Sequence, residues 1–216
     1  MKLEMDVTKP GTLIEQWPGQ YSLFSWMEYV TAIPQPIFLI TTLKENGKPN
    51  VCLHAWSTFT GEGDNFFCII SILKHQHTYH NIIRNGEFCI NFPDSTMLDK
   101  CFDTIKNNAG EDDEISKSGF TIEAAGEISA PRIKECFLAM ECSLEWEKPV
   151  YENSTWVLLC GRVKHLAMEE DRLKAGIEGR YGPKGYFYNI HAPKNPVDGS
   201  EIKDSIGIID VLSGKG

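Results

Sequence analysis

The sequence predicts a mainly β fold, an antiparallel barrel that carries small helical inserts. Three observations predict it. About six or seven apolar runs of strand length follow one another at short spacing. The first two are joined by "KENGKPN", in which Asn46-Gly47 is a strong hairpin signal. Only two stretches have helical periodicity, and both are too short for the crossovers of a doubly wound sheet.

Each element follows from local chemistry. Residues 1–25 are punctuated by Pro10, Gly11, Pro18 and Gly19 and read as irregular. "PIFLITTL" (36–43) is a strand, and "VCLHAWSTFTG" (51–61) is its return strand. "FFCIISI" (66–72) is continuously apolar, the pattern of a strand buried on both faces. A helix follows over about Tyr79 to Asn85, with Thr78 placed as its N-cap and Gly86 just past its end. "EFCINFP" (87–93) is the next strand. Residues 94–110 read as a helix starting near Ser95, with Leu98, Phe102 and Ile105 at helical spacing, and "GEDDEISKSG" (110–119) as an exposed acidic loop. Strands at Leu138–Val150 and 154–169 complete the barrel. The segment beyond is rich in Gly, Tyr and Pro, and a last apolar run, "SIGIIDVL", lies near the end.

Bulk properties exclude some functions. The chain has 216 residues, which suits one domain, and is 42% hydrophobic and 24% charged. A net charge of -9 argues against non-specific nucleic-acid binding. The N-terminal segment lacks the apolar core of a signal peptide, and no run reaches the length of a membrane span. The seven cysteines form no C-x-x-C pair and mostly sit in apolar runs, as reduced thiols do in a cytoplasmic protein. Asn153-Ser-Thr matches a glycosylation acceptor by chance.

The most polar feature is "SILKHQHTYHNIIRNGEFCINF" (71–92). Ser71 and Thr78 bring hydroxyls, Lys74 a point charge, and a helix N-terminus unpaired N–H groups: a small anion site sized for one phosphate. Two other readings stay open. Thr78 caps its helix and the histidines are solvated, or His75, His77 and His80 hold a metal. The metal reading lacks a carboxylate or thiolate inside the loop. Cys52 and Cys160 read as packed thiols before redox ones, His165 and His191 as structural or exposed, and "RYGPKGYFYN" (180–189) as a segment packing on the barrel before one folding over a ligand.

The ordered series is more specific than any piece. It includes Pro34-x-Pro36, the Asn-Gly hairpin, Asn50, and the small-aromatic-Ser triplet at 55–57. It continues with the apolar strand into Ser71, "HTYHNI", "GEFCIN", and later "ECFLAMECSLEW" and "WVLLCGRVKHL". It resembles the flavin reductase-like family, the FMN-binding split barrels that include flavoredoxin, over about residues 30–170, leaving a C-terminal extension at 171–216. Gln35 departs from the pattern, since many members carry arginine between the two prolines.

The resemblance implies a six-stranded split barrel, a homodimer, with FMN near the subunit interface. By position, Ser71, Lys74 and Thr78 would hold the phosphate, with His77 as a helper. His54, Ala55, Trp56 and Ser57 would run beside the ribityl chain and the ring, and Asn50 and Cys52 would border it. One lysine and two hydroxyls suit the terminal phosphate of FMN better than FAD. The implied activity is NAD(P)H-dependent reduction of the flavin, with electrons passed to free flavin, a ferric complex or a redox partner protein. No protein acid–base group and no metal is required. The alternatives are a flavoredoxin-like carrier without a nicotinamide site, and a protein that holds flavin without turnover.

Overall fold

A computed structural model of the chain describes residues 1–106 and 114–212. Their contacts group into two compact units, Pro36–Phe187 with the residues from Ile208 onward, and Met1–Gln35 with Tyr188–Gly207. In the second of these, Ser25 and Glu28 form a capping box on the helix Trp26–Thr31. Buried Lys194 pairs with Glu201 at 3.2 Å and lies over the rings of Tyr21 and Tyr29.

The larger unit is built on one antiparallel sheet. Its strands are β1 (Phe38–Leu43), β2 (Pro49–His54), β3 (Ser57–Glu62), β4 (Asn65–Leu73), β5 (Glu87–Phe92), β6 (Leu138–Pro149) and β7 (Trp156–Met168). Helix α1 (His77–Asn85) lies between β4 and β5, and α2 (Leu98–Lys106) follows β5. The spatial order is β2-β1-β5-β6-β7-β4-β3. The two outermost strands, β2 and β3, are consecutive in sequence and joined only by Ala55 and Trp56. A two-residue linker keeps the Cα atoms of His54 and Ser57 within about 11 Å of each other, so the sheet must curl until its edges meet. That is a barrel with a seam.

The sheet has seven strands where six were expected, because the return strand over 51–61 breaks at Ala55-Trp56 into β2 and β3. β4 also differs from expectation. Cys68, Ile70 and Ile72 are fully buried, while Phe67, Ile69 and Ser71 are only half-buried, so the run alternates. An apolar run does not reveal that one of its faces is only partly covered. α2 begins after a single 3-10 turn at Ser95–Met97 and buries Cys101 and Thr104, leaving Phe102 and Ile105 exposed. The acidic segment 110–119 lies partly outside the described residues; within it Glu114–Lys117 is a helical turn.

The barrel interior is filled by Phe38, Ile40, Ile70, Ile72, Phe88, Ile90, Met140 and Leu159, drawn from facing strands. The pairing of β6 with β7 shifts register at Cys160/Gly161 and at Val163/His165, and such bulges increase strand bending. A Cβ on Gly161 would overlap the Phe88 ring, so only glycine admits that ring to the bend. Among the described residues no helix is long and apolar enough to cross a membrane.

Candidate functional site

Helix α1 starts earlier than its sequence suggests. Gln76 is the N-cap, in extended conformation, with no side-chain capping bond, and His77 is the first helical residue. The chain reaches it through a turn closed by the Gln76 N–H on the Leu73 carbonyl at 3.1 Å. Thr78 is therefore not the cap. It sits inside the first turn, 3% exposed, where its hydroxyl accepts a bond from Asn50 Nδ2 at 3.1 Å. This bond ties the start of β2 to the helix N-terminus. It leaves Asn50 Oδ1 buried without a hydrogen-bond partner, and Gln76 Oε1 is in the same condition. A buried acceptor left unmatched costs about 1–3 kcal/mol, so each is a position that a ligand donor would satisfy.

The other residues fall into a second cluster. The Ser71 N–H donates to the Trp56 carbonyl at 2.9 Å, so the seam linker lies against the end of β4. His54 is buried, and its Nε2 lies 3.2 Å from that same carbonyl. Since the carbonyl only accepts, Nε2 carries the hydrogen. Burial holds the imidazole neutral, its pKa lowered to about 4. Ser57 Oγ donates to the Ala55 carbonyl at 3.2 Å, and Ala55 is buried. Trp56 is half-buried and faces Trp156 at 5.8 Å between ring centroids. Trp156 was not anticipated; it was legible only as a strand residue, and its register opposite Leu73 brings it here. Cys52 is half-buried against the barrel core.

Lys74 fixes its backbone by donating its N–H to the Thr155 carbonyl at 3.0 Å, and its side chain is exposed, as is His77. The structure thus joins Asn50 with Thr78, and His54 and Ser71 with Trp56. No hydrogen bond among the described residues links Ser71, Lys74 and Thr78 directly. Nor do any three His, Cys, Asp or Glu side chains among them gather as metal ligands.

Residues 30–190 match the model of the flavin reductase like domain. The chain belongs to that family. A protein of Methanothermobacter thermautotrophicus is 29% identical over 140 residues, 64% of this chain, and the chain spans about two thirds of that relative's length, at 66%. Among solved structures, a split-barrel-domain protein from Shewanella frigidimarina superposes with a TM-score of 0.73 at 16% identity, over 99% of both chains. Flavoredoxin from Methanosarcina acetivorans gives 0.61 at 22% identity, over 84% of this chain and 88% of its own. The Streptomyces globisporus NADH:FAD oxidoreductase gives 0.59 at 12%, over 73% of this chain and 89% of its own. At these identities the likeness shows the fold, a split barrel.

Proposed function

We propose that this family member is a flavin-dependent oxidoreductase that holds FMN by its phosphate at the N-terminus of α1 and takes reducing equivalents from NAD(P)H. The observation that carries the proposal is the Asn50–Thr78 pair. It places a buried, unpartnered oxygen beside a helix start that no side chain caps. Such a helix start offers free N–H groups and a positive partial charge. Lys74 adds an ammonium with an anchored backbone and an exposed side chain. The acceptor at Asn50 Oδ1 suits a ribityl hydroxyl, which can donate. The residues present therefore fit a phosphate-ended flavin.

When bound, the flavin supplies the hydride and electron transfer. The chain's own residues position it and shape its surroundings. Thr78 and the first-turn amides bind the phosphate, Lys74 neutralises it, and Asn50 orients the sugar chain. Trp56, backed by Trp156, walls the ring. His54, neutral and committed to the Trp56 carbonyl, fixes the seam linker without offering a proton. The acceptor is free flavin, a ferric complex or a partner protein, and the working form is a cytoplasmic homodimer. The second reading, an electron carrier without a nicotinamide site, has in its favour the structural likeness to a flavoredoxin.

The test is an absorption spectrum of the purified protein with added FMN, before and after anaerobic NADH. Perturbed flavin bands that bleach support the reductase; bands that persist until a reduced partner protein is added support the carrier. Lys74→Ala should weaken FMN binding by about tenfold while leaving riboflavin, which lacks the phosphate, unchanged. Equal loss for both ligands would place the phosphate elsewhere.

A further inference from the structure

Helix α1 meets the β1–β2 hairpin through polar side chains. Its buried residues are Thr78, Asn81 and Ile82, so polar side chains take most of a face where apolar ones are the ordinary choice. Asparagine is also a poor helix former. The reason lies across the contact. Thr42 and Asn50 are cross-strand partners and therefore point to one face of the hairpin. Thr78 and Asn81 stand at i and i+3 and share one face of the helix. Asn50 Nδ2 donates to Thr78 Oγ1 at 3.1 Å, and Asn81 Nδ2 donates to Thr42 Oγ1 at 3.0 Å. All four residues are buried. They form a square whose two hydrogen-bonded sides join strand to helix. Arg84 orients the second bond. Its Nη2 donates to Asn81 Oδ1 at 2.9 Å and to the Leu43 carbonyl at 2.7 Å, which turns the Asn81 N–H2 group toward Thr42.

We propose that Thr42 and Asn81 are positioning residues for the anion site at the head of α1. This rests on the flavin reading, which puts the FMN phosphate on the first-turn amides. No side chain among the described residues caps that end of the helix, so its place relative to the strands depends on what holds the helix from the side. Ile82 packs into the barrel core, but apolar contact is non-directional and tolerates a slide. The two buried bonds do not. Sliding α1 by one residue moves it about 1.5 Å, enough to stretch both bonds past hydrogen-bonding range. The Thr42–Asn81 bond supplies direction more than stability, because exchanging both partners of a buried bond for apolar groups of like shape is nearly neutral. Neither residue has to touch the ligand. Asn50 lies on β2, so its contact with the sugar chain would survive a displaced helix, whereas the amides facing the phosphate would move. The loss is therefore confined to the phosphate end.

The experiment titrates FMN and riboflavin by fluorescence and reads the ratio of their affinities, with a urea midpoint for each protein. The full chain is compared with Thr42→Val, Thr42→Ser and the double variant Thr42→Val with Asn81→Leu. Thr42→Val removes the acceptor at nearly constant shape, and Thr42→Ser keeps it. The preference for FMN over riboflavin should fall about tenfold in Thr42→Val and persist in Thr42→Ser, with riboflavin affinity constant throughout. The double variant should regain the urea midpoint lost by Thr42→Val but not the preference, which separates geometry from stability. The inference is overturned if the preference survives Thr42→Val, if Thr42→Ser loses it equally, if the double variant regains it along with the midpoint, or if both flavins weaken together. An unaltered chain that binds neither flavin, or FMN no better than riboflavin, overturns the phosphate reading and this inference with it.

Discussion

Asn50 shows how one side chain can serve both stability and binding. Its amide N–H2 group is committed to Thr78, and its oxygen is sealed from water without a partner. Asn50→Ala should therefore lower FMN and riboflavin affinity alike, by about tenfold or more, in a fluorescence titration, and should also cost about 1–3 kcal/mol of stability, because the buried Thr78 hydroxyl loses its partner. His54 is a different case. An unfolded imidazole takes a proton below about pH 6.5, but the buried one does so only below about 4. Between these values the unfolded chain binds more protons, so stability falls as pH falls, by on the order of 3 kcal/mol across the window. His54→Gln should flatten that part of a urea-midpoint profile. Thr78 was legible in the sequence as part of the polar cluster after β4, and Asn50 and His54 only through the family resemblance. Their pairing was not, because a bond between residues 28 apart depends on how β2 meets α1. Thr78 reads as a cap because a hydroxyl before a helical run normally is one. Here the extended Gln76 ends the turn first and the hydroxyl is taken into the helix.

At the scale of elements, the strands were legible and their breaks were not. Residues 51–61 read as one strand because no turn signal interrupts them between the Asn46-Gly47 hairpin and Gly61. The break at Ala55-Trp56 comes from closure of the sheet, a demand that no window of sequence contains. β7 carries the comparable device at its bulge, where Gly161 leaves room for Phe88. Gly161→Ala should destabilise by about 1–3 kcal/mol through overpacking, read as a lower urea midpoint. Pairing the change with Phe88→Leu should recover part of the loss. The helical spacing of Leu98, Phe102 and Ile105 did not say which face of α2 is covered: the helix buries the small Cys101 and Thr104 and leaves Phe102 and Ile105 exposed.

The whole molecule keeps its thiols out of reach. Of seven cysteines, six are buried and Cys52 alone is half-exposed, and none is in a disulfide. Burial pushes the Cys89 and Cys101 thiols up to about 12, so neither offers a thiolate at neutral pH. A thiol reagent should titrate one group quickly in the native protein and seven in denaturant; rapid reaction of several would mean that the barrel opens readily. The odd count and the apolar settings of these cysteines already indicated packing. The two-unit grouping had no such signal, since it brings residues 1–35 together with residues 188–207 from the far end of the chain.

The seam also sets an order of events. β4 lies between β3, made just before it, and β7, which is among the last strands to be synthesised. Ile72 must find Val157, and Leu39 must find Asn91, across long stretches of intervening chain. Closing such loops is entropically costly and slows folding toward the millisecond-to-second range of non-local β proteins. Until Trp156–Met168 has emerged from the ribosome, the apolar β4 presents an unpaired edge. A nascent chain of this protein therefore carries an aggregation hazard at β4 for as long as β7 has not yet been made.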